Sequence, residues 1–173
     1  MGRALDESKS LLDSSESSVA REIIDFLIRE NKTIAIAESC TGGAINYAFS
    51  QISGASSAFR GGIVCYQNAI KTRVLGVDSA ILAQKSAYSV EVVDLMLGQI
   101  SEIMQSDFAI ATSGIAGPNG GSDEMPVGTI FIGVKKVGEK SIVKKTHFSG
   151  NRVEIQTQTT QFALELFKNE FVK

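Results

Sequence analysis

The sequence predicts an α/β fold, a three-layer α/β/α sandwich around a mixed sheet of about five strands. Three observations carry this. Short apolar runs at 33–37, 63–66 and 107–112 alternate with segments of helical apolar spacing. Two further apolar runs, 127–137 and 141–148, flank Gly138-Glu139 as the arms of a hairpin would. Loops rich in Gly, Ser and Thr follow directly on apolar runs, as they do at the carboxyl ends of strands in open sheets.

Each element has its own signal. Residues 1 to about 16 are rich in Ser, Asp and Glu and read as a mobile N-terminal arm or linker, leaving residues 17–173 as the folded domain. From there Val19, Ile23, Ile24, Phe26, Leu27 and Ile28 recur at helical spacing, with Ser17 or Ser18 as cap and Asn31 as the end. The run Thr33 to Ala37 is the first strand, and Ala44 to Gln51 the second helix. Ile63 to Tyr66 reads as a short buried strand, with Gly61 and Gly62 marking a bulge or a close backbone approach. Short helices follow over 67–71, ending near Gly76, and within 77–85; Ser89 then caps a longer helix with Val93, Leu95, Met96, Ile100 and Met104 on its apolar face. The run 107–112 is a buried strand, and the first hairpin arm lacks alternation, which predicts burial on both faces. Gly150-Asn151-Arg152 leads into a last helix carrying Phe162, Leu164, Leu166 and Phe167.

Composition narrows the function classes. With 173 residues the chain is long enough for one domain with a real core. Hydrophobic residues make up 43%, and the net charge of -2 implies no basic face for nucleic acid. No apolar run approaches the roughly 20 residues of a membrane span, and no secretory signal is expected. Cys40 and Cys65 make neither a disulfide framework nor, with the single histidine His147, a metal cage. The simplest compartment is a reducing cytoplasm. An exposed sheet edge or apolar helix face predicts a homo-oligomer, a dimer being the simplest.

Three loops at strand ends carry the candidate chemistry. The first, Glu38-Ser39-Cys40-Thr41-Gly42-Gly43, joins a strand to a helix, where unpaired backbone N–H groups favour an anion or a developing oxyanion. Ser39 or Thr41 is either a helix cap or a functional hydroxyl. Glu38 either contacts a ligand, orients a neighbour or caps the strand end. The second loop, 66–71, holds Tyr66 and Lys71; the third, following Thr112, is the glycine-rich run from Ser113 through Gly114 to Gly121. A Ser-His-Asp triad would have to recruit His147 from a hairpin strand. A Ser–Lys pair is the better candidate: Lys71 lies about one helical turn beyond its strand and can fold back towards Ser39, provided burial lowers its pKa. The third loop can form an anion nest; Arg152 is either a bidentate clamp for it or, as its position alone favours, a helix residue facing water.

Four segments together, AESCTGG (37–43), GASSAFRGGIVCYQNAIK (54–71), SGIAGPNGGSDEMPVGT (113–129) and FSGNR (148–152), resemble the CinA C-terminal domain family, whose characterised members include nicotinamide-nucleotide (NMN) amidohydrolases of the PncC type. The resemblance covers about Ser17 to Lys173. It implies an α/β sandwich that hydrolyses the carboxamide of NMN to nicotinate mononucleotide and ammonia, without cofactor or metal. It implies Ser39 as nucleophile and Lys71 as its base. It also matches Thr41, Tyr66, Ser113 and Arg152 to substrate-site positions, and Glu38, Gly42, Gly43, Thr112 and Gly114 of the same loops are expected to bind substrate beside them. Backbone N–H groups of residues 41–43 are expected to hold the oxyanion. The chain departs from the family pattern at Ser86-Ala87-Tyr88-Ser89 (usually G-A-V-S), Met125 (usually Lys), Asn151 (usually Asp) and Gln156 (usually Arg). Met125 and Gln156 remove two positive positions. A nucleotide-binding or regulatory module without turnover, or an interaction module linked to competence or damage, therefore stands as the alternative.

Overall fold

In a computed structural model of the chain, which describes residues 14–173, helices and strands alternate as expected. They are α1 (Ser14–Arg29), β1 (Ile34–Glu38), α2 (Ala44–Ser50), β2 (Phe59–Val64), α3 (Asn68–Arg73), α4 (Ser79–Lys85), α5 (Val90–Met104), β3 (Phe108–Gly114), β4 (Thr129–Lys136), β5 (Ile142–His147) and α6 (Arg152–Phe171). The five strands form one sheet in the order β2-β1-β3-β4-β5. β1 runs parallel to β2 and β3, while β4 and β5 add an antiparallel hairpin, so the sheet is mixed.

Strand periodicity sorts the core into two layers. Ile34, Ile36, Ile110, Ile130, Ile132 and Val134 pack on one face against α1, α2 and α6. Ala35, Ala37, Ala109 and Ala111 point the other way, towards Val92, Val93, Met96 and Leu97 of α5. Alanines there let α5 lie close to the sheet. At Gly133 even a methyl group would meet Leu97 Cδ1 at 2.7 Å and Val93 Cγ1 at 2.8 Å. The three-layer α/β/α sandwich is the fold the sequence predicts, and the first hairpin arm is buried on both faces through residues 129–134.

Boundaries differ in two places. α1 already includes Ser14, so Ser17 and Ser18 lie within the helix rather than capping it, and residues 14–16 of the expected arm belong to the helix. The arm's remaining part, residues 1–13, lies outside the described residues. β2 starts at Phe59, and its residues alternate between half-buried and exposed because it is an edge strand, not a buried one. The bulge occurs between the pairs Ile34–Phe59 and Ala35–Gly61, and leaves Arg60 unpaired.

This topology sets the site. After β1 the chain crosses to β2 on one side and returns to β3 on the other. The carboxyl end of β1 therefore faces a crevice where the direction around the sheet switches.

Candidate active site

Ser39 stands directly beyond β1, and Lys71 folds back over it from α3. The Lys71 ammonium nitrogen lies 3.0 Å from Ser39 Oγ and donates to the Cys65 carbonyl at 2.9 Å. Lys71 is only 1% exposed, and among the described residues no carboxylate pairs with it. Burial holds its pKa below the ordinary 10.5 of a lysine. The sequence-expected pair is therefore assembled: a buried hydroxyl beside an amine whose surroundings favour the neutral, proton-accepting form.

Glu38 occupies the other side of the turn. Its carboxylate accepts from the backbone N–H of Gly43 (3.0 Å), Ile45 (3.3 Å) and Asn46 (2.7 Å), and from the Asn46 side-chain amide (2.7 Å). Both oxygens are saturated, and Glu38 is fully buried. It caps α2 from the preceding strand, where its negative charge meets the positive end of the helix dipole. The helix has Gly43 as N-cap and no side-chain cap of the usual kind, so neither Ser39 nor Thr41 caps it. The placement of Glu38 differs from the ligand contact expected of it: no lone pair is left over.

The consequence reaches the oxyanion donors. The Gly42 N–H is taken by the Ser39 carbonyl and the Gly43 N–H by Glu38. The N–H groups of Cys40 and Thr41 have no acceptor among the described residues. Free donors thus sit in the turn itself, one and two residues after Ser39, rather than at both expected glycines.

Gly62 supports the same network. A Cβ there would lie 2.0 Å from Asn46 Oδ1 and 2.5 Å from the Ile36 carbonyl oxygen. Asn46 could be pushed aside, but the strand carbonyl cannot. Gly62→Ala is expected to cost about 2–3 kcal/mol and to displace the Asn46 amide from Glu38. A urea titration reads this as a lower midpoint at unchanged slope.

The remaining expected residues divide into three groups. Tyr66, Gly114 and Arg152 line a cleft of about 190 Å³ that also contains Ser39 and Cys40. Arg152 bridges it by donating to the Tyr66 hydroxyl and the Gly117 carbonyl, so it is a cross-loop clamp rather than a solvated helix residue. Thr41, Thr112 and Ser113 instead brace the floor. The Thr41 and Thr112 hydroxyls bond each other at 2.8 Å, and Ser113 Oγ donates to the Ala87 carbonyl at 2.7 Å. Gly42 and Gly43 face a second hollow of about 350 Å³ behind the turn, between α2 and α6.

His147 ends β5, three strands from β1, beside Glu124, Pro126 and Lys145, so it takes no part in a triad with Ser39. Burial pushes the Cys40 thiol up to about 12, which leaves it protonated and a poor competitor of Ser39 as nucleophile. Cys65 is raised for the same reason, and its thiol donates to the Glu38 carbonyl. Among the described residues no group of His, Cys, Asp and Glu is placed to hold a metal, and no helix is long and apolar enough to cross a membrane.

Three contributors were not foreseen. Tyr88 and Asn119 line the Ser39 cleft. Gln156 reaches from α6 to the Cys40 carbonyl at 2.7 Å. Tyr88 and Gln156 both fall at positions where the chain departs from the family pattern, which is the one signal the sequence offered. Asn151 is a departure without consequence for local structure: its side chain accepts from the Val153 and Glu154 N–H groups, completing a capping box as an aspartate would.

Fold and site together define an α/β domain with a serine–lysine pair at the carboxyl end of a central parallel strand. The CinA C-terminal domain model matches residues 16–171, and the chain belongs to that family. A CinA-like protein of Thermotoga neapolitana is 36% identical over 164 residues, 94% of this chain and 40% of that relative. Another from Geobacter sulfurreducens is 37% identical over 166 residues, 96% of this chain and 38% of the relative. The chain thus spans about two-fifths of the length of these curated relatives. Among solved structures, the competence/damage inducible protein CihA from Agrobacterium tumefaciens matches with a TM-score of 0.89 at 33% identity, over 92% of this chain and 98% of that one. A competence-damaged protein (CinA) superfamily protein from Enterobacter cloacae matches with a TM-score of 0.86 at 28% identity, over 98% of each chain.

Proposed function

We propose that the domain is a serine–lysine amidohydrolase that converts NMN and water to nicotinate mononucleotide and ammonia. The observation that carries this reading is the buried, carboxylate-free Lys71 at 3.0 Å from Ser39 Oγ. A binding-only module has no use for such a group, because an unpaired buried amine costs stability.

The steps follow from the geometry. Neutral Lys71 takes the Ser39 proton as Oγ attacks the carboxamide carbon. The C–O bond forms while the carbonyl electrons move to oxygen, and the N–H groups of Cys40 and Thr41 receive that oxyanion. A preorganised donor of this kind is worth about 3 kcal/mol. The Lys71 ammonium returns its proton to the amide nitrogen, the C–N bond breaks, and ammonia leaves an ester on Ser39. Water, deprotonated by Lys71, hydrolyses the ester and restores the hydroxyl. Arg152 and the N–H groups of the 114–120 loop supply positive potential for the substrate phosphate.

Ammonia release from NMN, matched mole for mole by nicotinate mononucleotide, tests the reading. The rate is expected to rise with pH as Lys71 loses its proton, with a midpoint below 10.5. A rise in melting temperature on adding NMN, without ammonia, would overturn it in favour of a nucleotide-binding module.

A further inference from the structure

We infer that Gln156 is a positioning residue that aims the oxyanion-binding peptide between Cys40 and Thr41. The inference rests on the amidohydrolase reading and adds to it a residue on α6 that touches no reacting atom. The Gln156 side-chain amide donates to the Cys40 carbonyl at 2.7 Å. That carbonyl belongs to the same peptide group as the Thr41 N–H. In a planar trans peptide the two point in opposite directions. A donor fixed on the carbonyl side therefore holds the N–H on the other side.

The two hollows beside the turn make this directional. Gln156 lines the one between α2 and α6 together with Thr41, whereas Ser39 and Cys40 line the catalytic cleft. The amide thus holds the Cys40 carbonyl on the α6 side, and by peptide planarity the Thr41 N–H is directed to the opposite side of the turn. The same bond polarises the peptide and strengthens its N–H as a donor. The bond adds to two restraints already on the turn, the Gly42 N–H to Ser39 carbonyl bond and the Thr41–Thr112 hydroxyl pair, and fixes the tilt of the peptide between them. A tilted peptide would no longer aim the Thr41 N–H squarely at a developing oxyanion, weakening its hold on the charge.

Gln156 also lies one helical turn beyond Arg152, which clamps the cleft through Tyr66 and Gly117. One face of α6 therefore serves both ends of the proposed substrate: Arg152 the phosphate, Gln156 the reacting carbonyl by way of the turn.

The test uses an alkyl fluorophosphonate as well as NMN. Ser39 Oγ forms a bond to phosphorus, the P–F bond breaks, fluoride leaves, and the serine proton passes to Lys71. The adduct forms through a negatively charged phosphoryl oxygen that needs the same donors. Two variants are compared with the wild type: Gln156→Ala, which deletes the donor, and Gln156→Glu, which keeps the shape but replaces the donor by an acceptor. Labelling of Ser39 is expected to slow about tenfold or more in both, with kcat for NMN falling alongside and KM nearly unchanged. Melting temperatures are expected to stay within about 2 °C of wild type.

Labelling at the wild-type rate in both variants would overturn the inference. So would a rise in KM at constant kcat, which would make Gln156 a substrate contact, or slowed labelling that tracks a large fall in melting temperature. Failure of the wild type itself to label would overturn it too. If the wild type labels, the variants label slowly, and none releases ammonia from NMN, the inference stands and the substrate reading fails.

Discussion

Lys71→Met is expected to abolish turnover and at the same time to stabilise the domain. Loss of the base removes the proton acceptor for both acylation and deacylation, so ammonia release is expected to fall by about 10³-fold or more. Methionine keeps the unbranched length of lysine and suits a site bounded by Cys65 and the apolar α5 layer. What it no longer carries is an amine buried with one serine hydroxyl and one carbonyl as partners. The gain is expected to be about 1–2 kcal/mol.

The pH dependence separates this from a generic packing gain. The folded pKa of Lys71 lies below its unfolded value of 10.5. Between the two, the unfolded chain binds more protons, so wild-type stability rises with pH across that window. Below the window the full penalty applies; above it the amine is neutral in both states. The advantage of Lys71→Met is thus expected to be complete below that window and to vanish as pH approaches 10.5. Parallel stability curves for the two proteins up to that pH would contradict a destabilising charge at position 71.

Glu38→Gln is the second large effect, and its sign is opposite. The carboxylate accepts from three backbone N–H groups and the Asn46 amide. A glutamine amide offers one acceptor oxygen and one donor nitrogen, so at least one backbone N–H faces another donor in a fully buried site, even if the Asn46 amide flips to accept. The charge that complements the α2 dipole is lost as well. The expected cost is about 2–4 kcal/mol, equivalent to a fall of about 5–10 °C in melting temperature. Turnover measured well below that temperature is still expected to fall, because α2 and the Ser39 turn share this anchor. Full activity with an unchanged melting temperature would show that Glu38 holds nothing in place.

These two residues also mark how far the sequence could be read. The fold was legible because apolar runs such as 33–37 and 107–112 alternate with helical spacing, and that periodicity is the physical requirement for burying helices on both sides of a sheet. Lys71 was legible because the chain carries a single histidine, His147, in a hairpin strand, and because a lysine one turn past a strand returns to its carboxyl edge. Glu38 was not. β1 is buried on both faces, so side-chain parity does not say whether its last residue turns to the ligand or to the following helix. The use of the Gly42 and Gly43 N–H groups was hidden for the same reason, since it depends on which acceptor reaches them first. β2 was placed too late because edge strands need only one apolar face, and Phe59-Arg60-Gly61-Gly62 carries little side-chain signal. Gln156 acts across 116 residues of sequence, a distance that no local pattern spans.

The most direct test of the central claim is ammonia release from NMN by the wild type beside Ser39→Ala, in a buffer containing a metal chelator. Ser39 supplies one of two hydrogen-bond partners of Lys71 and the Cys65 carbonyl keeps the other, so the alanine variant is expected to fold. Release by the wild type and none by Ser39→Ala is the expected result, and it would establish covalent serine catalysis at this turn. Equal release by both proteins would contradict it.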